Sequence, residues 1–135
     1  MSGVIVDTCI WSLALRGKAP KNIKVAEVLT TLIEENRAKI IGSIRQEILS
    51  GYSDLTRYEK LRNKLKAFPN EQVIDSDYES AAECSNMCRS KGIQRSHTDF
   101  LICVVAVRLK MKIYTSDQDF MRYSKHLPIS LYQED

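Results

Sequence analysis

Short apolar runs of strand character alternate with helix-length segments from one end of this chain to the other. VIVD at 4–7, AKII at 38–41, QVI at 72–74, KIYT at 112–115 and LPISLY at 127–132 are the strand candidates. The stretches between them carry apolar residues at helical spacing, as in Val25, Val28, Leu29, Leu32 and Ile33. Strands that recur with a helix between them pair in parallel, because the chain must cross over before it adds the next strand. The expectation is an α/β fold with a central parallel sheet of four to five strands flanked by helices. At 135 residues and 44% apolar it is one domain, 1–135, with one ordinary core.

The helix limits come from capping and breaking residues. Thr8 is placed to cap a helix running from Cys9 through Trp11 to Leu15, with Gly17 ending it. Lys18 to Lys21 reads as a loop, and Asn36 and Arg37 close the second helix. Ser43 with Gln46 matches a capping box, which puts Glu47 near the start of a helix. Leu55, Tyr58, Leu61, Leu65 and Phe68 make one helical face that Pro69 ends. Asp77 opens a further helix closed by Gly92, and Ser96 caps the apolar HTDFLICVVAVRLK.

Ligand sites of open parallel sheets form beyond the carboxyl ends of the strands. Acids collect there. Asp7 and Asp117 end strands, while Glu47 and Asp99 start helices that open at the same edge, and Asp119 follows in YTSDQDF. A carboxylate near a helix N-terminus is favoured by the helix dipole, but several in one cleft repel each other. Such a cluster calls for protons or hard cations, and Mg²⁺ or Mn²⁺ prefer oxygen ligands. The net charge is only +3, so the Lys and Arg surplus lies elsewhere, in Lys18, Lys21 and Lys24, Arg57 to Lys66, and Arg89 to Arg95. Basic groups around an acidic centre suit a polyanion, although each cluster alone reads as a solvated helix face.

Other classes fit poorly. The four cysteines lack zinc-ligand spacing, and small reduced core residues are the simplest reading of Cys9, Cys84, Cys88 and Cys103. No apolar run is long enough to span a membrane, and no basic-then-apolar leader precedes VIVD, so the expected location is cytoplasmic. Phosphoaspartyl chemistry would want an acidic pair at the first strand, whereas Asp7 is followed by Thr-Cys. His97 reads as a surface group at a helix start that could also touch phosphate, and Trp11 and Tyr52 as core or interface residues that could also stack on bases.

VIVDTCIW, the Ser43-x-x-x-Glu47 helix start, TDFLICVVA and YTSDQDF occur in an order and spacing that resemble the PIN domain, and more narrowly a VapC-type toxin of a toxin–antitoxin pair. The resemblance runs from Val4 to about Tyr132, with Cys9 standing where related sequences more often carry Asn or Ser. It implies a PIN-like fold and a Mg²⁺- or Mn²⁺-dependent endoribonuclease acting on transfer or ribosomal RNA. It also implies a cognate antitoxin protein and a homodimer. Asp7, Glu47, Asp99 and Asp117 match the acidic positions, and Asp119 a further, less uniform one. Asp7 and Asp99 are then expected as central metal ligands, with Asp117 a ligand or support and Glu47 a ligand or water-orienting base. Thr8, Thr115 and Ser116 would orient carboxylates or waters, or merely cap and turn the chain. The remaining alternative is a degenerate PIN-like domain that binds protein or RNA without catalysis.

Overall fold

The computed structural model describes residues 2–16, 19–93 and 97–133. Three parallel strands form the sheet, in the order β2-β1-β3: β1 is Val4–Val6, β2 Ala38–Lys39 and β3 Lys112–Tyr114. Val4 pairs with Ala38 on one side and with Lys112 on the other. All three β1 residues are fully buried, as expected of a central parallel strand covered on both faces. Seven helices pack around the sheet among the described residues: α1 (Thr8–Leu15), α2 (Pro20–Glu34), α3 (Gly42–Ser50), α4 (Leu55–Leu65), α5 (Asp75–Ser90), α6 (His97–Leu109) and α7 (Asp119–Tyr123).

The α/β class holds, with two outer strands reduced to single bridges. The segment after Pro69 touches the sheet only at Asn70, opposite Ile40, and the C-terminal segment only at Leu131, opposite Ile113. Arg45 holds the turn that leads there: its guanidinium bonds Asn70 Oδ1 at 2.9 Å, the Leu65 carbonyl at 3.1 Å and the Phe68 carbonyl. In the expected strand itself the Gln72 carbonyl accepts from Arg108 Nη2 at 2.6 Å and the Ile74 N–H donates to Asp77 Oδ2 at 2.9 Å, so these backbone groups are bonded outside a ladder.

Helix starts differ from the sequence reading in five places, α5 among them, since it opens at Asp75 with Ile74 as N-cap and Asp77 is its third residue. Asp7, not Thr8, is the N-cap of α1, and its carboxylate accepts the Thr8 N–H. Pro20 opens α2 at the first helical position, where its missing N–H costs nothing. Ser43 lies inside α3, which has Ile41 as N-cap and no side-chain cap, so the Ser43–Gln46 box does not form. Asp54 caps α4 through the Arg57 N–H at 3.1 Å, and this turns Leu55 outward to 72% exposure, off the expected face. Leu61 and Leu65 remain its buried residues. Gly92, with φ +79°, ends α5 in the left-handed region that glycine enters without a Cβ clash. The expected Gly17 stop, the Lys18 end of the loop and the Ser96 cap lie outside the described residues.

Aromatic packing joins the far end of the chain to the sheet. Phe100, Phe120 and Tyr123 are buried, with Tyr123 lying 5.0 Å from Phe100 and 5.3 Å from Phe120 between ring centroids. Burying each ring contributes about 2 kcal/mol. The cluster fastens short α7 onto α6, and so holds the loop at Asp117 beside the helix that carries Asp99. Trp11 is likewise core, packed edge-on against Phe68 and bonding the Val6 carbonyl.

Candidate active site

Chain order places a cleft at the carboxyl edge of the sheet. The path from β1 moves outward through β2 to Asn70, then returns to β3 on the other side of β1. The topological switch therefore lies between β1 and β3, where helices leave in opposite directions and open a crevice. Asp7 N–H bonds the Tyr114 carbonyl across this point, and Asp7 Oδ2 accepts the Thr115 hydroxyl at 2.8 Å.

A cleft of about 400 Å³ opens there, lined by Asp7, Thr8, Glu47, Asp99, Ser116 and Asp117, with Cys9, Ser12, Arg16 and Lys21 on its walls. Four carboxylates from β1, α3, α6 and the β3–α7 loop thus face one space. Each is anchored differently. Asp7 is 7% exposed, and its two oxygens accept from Thr8 N–H, Thr115 and Cys9. The Thr115 hydroxyl in turn accepts the Asp117 N–H at 3.0 Å, so one threonine ties two acids together. Asp117 Oδ1 takes the Asp119 N–H at 2.9 Å, which forms the turn into α7. Asp99 Oδ2 accepts the Tyr123 hydroxyl at 3.0 Å. These last two bonds use one oxygen each of Asp117 and Asp99. Glu47 is exposed on the first turns of α3.

The electrostatics match this crowding. Burial raises the Asp99 carboxyl to about 6, and the nearby Asp7, Asp117 and Glu47 charges push it the same way against the Tyr123 hydrogen bond. Burial also raises Asp7, opposed by its hydrogen bonds to Thr115, Thr8 and Cys9. Near neutral pH the cleft holds more negative charge than its surroundings favour.

A hard divalent cation is the natural complement, and the donor chemistry fits it. The facing groups are carboxylate and hydroxyl oxygens. Thr8 Oγ1 is buried at this cleft with no partner among the described residues, and such a hydroxyl is costly unless something else bonds it. No three acids, His or Cys among the described residues stand together as a ready-made ligand set. Repulsion between like charges acts against that close approach.

Several residues fall elsewhere than the sequence suggested. Asp119 sits in the first turn of α7, 3.8 Å from Arg122, and is not among the cleft-lining residues. His97 is the exposed first residue of α6, also away from the lining. Cys9 is half-buried against the core, as a small core cysteine would be, and also reaches the cleft: its Sγ lies 3.5 Å from Asp7 Oδ2 and accepts the Ser116 N–H at 3.4 Å. Tyr123 went unread because it is distant in sequence from every acidic motif. Ser12 and Arg16 had a legible signal, since they follow Thr8 at four-residue steps on one face of α1.

The profile of the PIN domain family matches residues 4–126. The chain belongs to the PIN domain family. PIN domains are typically metal-dependent nucleases. No curated protein matches this chain. Among solved structures, this PIN domain is similar in fold to a chain of VapBC2 from Rickettsia felis bound to a DNA fragment from their promoter, with TM-score 0.69 and 16% identity over 98% of each chain. It is similar to a chain of FitAcB from Neisseria gonorrhoeae, with TM-score 0.70 and 16% identity over 96% of each chain. A toxin–antitoxin complex from Klebsiella pneumoniae gives TM-score 0.65 and 14% identity over 86% of this chain and 88% of that one. At such identities the likeness concerns the fold. Among the described residues, no helix is long and apolar enough to cross a membrane.

Proposed function

We propose that this PIN domain is a Mg²⁺- or Mn²⁺-dependent endoribonuclease that acts in the cytoplasm as the toxin of a toxin–antitoxin pair and cuts structured transfer or ribosomal RNA. The observation that carries this reading is the meeting of Asp7, Glu47, Asp99 and Asp117 in one cleft at the switch point. A bound divalent cation would supply an activated water and charge stabilisation at the scissile phosphate. Asp7 and Asp99 would hold it, with Asp117 as a further ligand and Asp119 reaching it only if its contact with Arg122 is given up. Thr115 would keep Asp7 oriented, and Tyr123 would do the same for Asp99. Glu47, the most exposed of the four, would orient the attacking water or take its proton. Thr8 and Ser116 would bond the water or phosphate oxygens, and Arg16 and Lys21 would offset the charge of the incoming strand.

The similar folds in toxin–antitoxin complexes support an antitoxin partner. Exposed Ile23 and Ile33 on α2 and Leu55 at the start of α4 offer apolar contacts for that partner or for a second copy in a homodimer. The test is sequencing of RNA ends after incubating cellular RNA with the purified chain and Mn²⁺, with and without EDTA. The expected result is one or a few EDTA-sensitive cuts in a stable RNA. Random ends would overturn the specificity, and no new ends would favour a binding-only PIN domain.

A further inference from the structure

One soft donor stands among the hard oxygens of the cleft. Of the four cysteines, Cys9 is the one that lines it. Its Sγ lies 3.5 Å from Asp7 Oδ2, while Thr115 Oγ1 and the Ser116 backbone nitrogen each stand 3.4 Å from it. The start of α1 sets this placement, because Asp7 is its N-cap and Cys9 its second residue. Side chains on a helix lean towards its N-terminus, which carries the thiol back over the capping carboxylate. Related PIN sequences more often carry Asn or Ser at this position, so the sulfur is a feature of this chain.

The sulfur and the oxygen stand as far apart as two ligands on one small cation. A Zn–S bond of about 2.3 Å and a Zn–O bond of about 2.1 Å at the tetrahedral angle hold the two atoms about 3.6 Å apart. Cys9 Sγ and Asp7 Oδ2 are 3.5 Å apart. A thiol donating to a carboxylate stands at a similar separation, and two observations favour a cation. Thr8 Oγ1, buried and with no partner among the described residues, borders the same space, where a water carried by the ion would bond it. Four carboxylates also line this space, and a thiol hydrogen bond leaves their charge in place. Sulfur adds nothing for Mg²⁺, which wants oxygen, but it favours Zn²⁺, which also binds more tightly than Mn²⁺ to most donor sets.

We infer that Cys9 Sγ and Asp7 Oδ2 are the founding pair of a Zn²⁺ site in this cleft, and that Zn²⁺ seated there draws Asp7 away from the Mg²⁺ or Mn²⁺ that cleavage needs. Asp117, whose charge acts on Asp7, is the third donor. It closes on the ion as it binds, since no three such donors stand together beforehand among the described residues. The site itself is independent of the nuclease reading, and its inhibitory consequence rests on that reading.

Binding tests the site separately from cleavage. The full, reduced, metal-stripped chain is titrated with Zn²⁺ and with Mn²⁺ by calorimetry, and with Cd²⁺ as a sulfur-seeking stand-in that absorbs in the ultraviolet when a thiolate holds it. The parent should show the sulfur-to-cadmium band, and Zn²⁺ should release bound Mn²⁺, read by the paramagnetic resonance of the freed ion. Cys9→Ser should lose the band and lower the ratio of Zn²⁺ to Mn²⁺ affinity at least about tenfold, as loss of a soft donor requires. Asp7→Asn should weaken Zn²⁺ by about tenfold or more, because it removes the charged oxygen ligand. Cys84→Ser is the control, a half-buried thiol on α5 outside the cleft lining, and should keep the band. Circular dichroism checks folding, and Cys9→Ala replaces Cys9→Ser if the latter does not fold.

A band that survives at Cys9→Ser, an unchanged affinity ratio, or Mn²⁺ that stays bound as Zn²⁺ is added overturns the site even in a chain that cuts RNA. The expected binding pattern in a chain that cuts nothing upholds the Zn²⁺ site and overturns the nuclease reading.

Discussion

Asp77 and Asp99 occupy the same local position, the third residue of α5 and of α6, and their carboxyls behave oppositely. Asp77 is 3% exposed and meets the Arg108 guanidinium as a fork, with Nε to Oδ1 at 2.9 Å and Nη2 to Oδ2 at 2.8 Å. It also accepts the Ile74 N–H, and these bonds, led by Arg108, lower its carboxyl below the usual range. Asp99 has Tyr123 as its hydrogen-bonding partner, with acids around it, and is raised to about 6. The helix dipole is common to both and does not decide the outcome. What decides it is whether the facing element supplies a cation. At Asp77 charge is spent on fixing α5 against α6, while at Asp99 it is left facing other acids.

The sharpest way to break this contrast is to neutralise each acid. Asp99→Asn is expected to lower RNA cleavage by about 10²–10³-fold, the scale of removing one preorganised electrostatic group. Its melting temperature near neutral pH should hold or rise, since a buried, repelled charge is gone. Steady-state cleavage beside thermal melts checks both, and undiminished EDTA-sensitive cleavage would remove Asp99 from the site. Asp77→Asn should do the reverse. It should lower the melting temperature by several degrees, because the guanidinium loses its charged partner, and leave cleavage at 25 °C near the parent value. A melt unchanged by Asp77→Asn would show that the fork does not stabilise the α5–α6 packing.

Acid titration of the metal-free chain separates the two regions more gently. Asp99 has a folded value above its ordinary 3.8, so protonation favours the folded state. Its contribution is fully present below the ordinary value and lost as pH rises through about 6. Asp77 has a lowered folded value, so its contribution is present above the ordinary value and lost as pH falls through the lowered one. Stability should therefore rise as pH is lowered from about 7 towards about 4, then fall at stronger acid. Denaturant melts across that range test it. Asp99→Asn should flatten the upper limb and Asp77→Asn the lower one, and the opposite assignment would reverse the comparison.

The smallest expected effect is at Tyr123. Tyr123→Phe removes the hydroxyl that holds the Asp99 carboxylate down, so the Asp99 carboxyl should rise further. The acid limb of the cleavage profile in Mn²⁺ should move upward with it, with only a severalfold loss of rate at its optimum. A limb that stays in place would separate Asp99 from that limb.

Much of the fold was open to sequence reading because it rests on local physics. Apolar VIV and KIY alternate with helix-length segments whichever way the chain packs. The outer strands were overread because QVI and LPISLY have strand composition, while the length of a strand depends on its neighbours. At QVI the deciding neighbours are Arg108, more than thirty residues later, which takes the Gln72 carbonyl, and Asp77, which takes the Ile74 N–H. The same limit applies to the site. Asp7, Glu47, Asp99 and Asp117 could be singled out as acids at strand ends and helix starts, because the alternation of apolar strands and helical periods places those positions even where the expected cap of α3 does not form. Nothing local distinguishes Asp99 from Asp77. Their opposite environments come from Arg108 and Tyr123, each more than twenty residues away along the chain, brought in by helices whose packing is set by apolar side chains. Sequence alone determined where carboxylates would stand along the backbone. Only the tertiary structure decided which one would meet a cation of its own and which would be left facing other acids, because charge compensation depends on separation in space and on burial, not on separation along the chain.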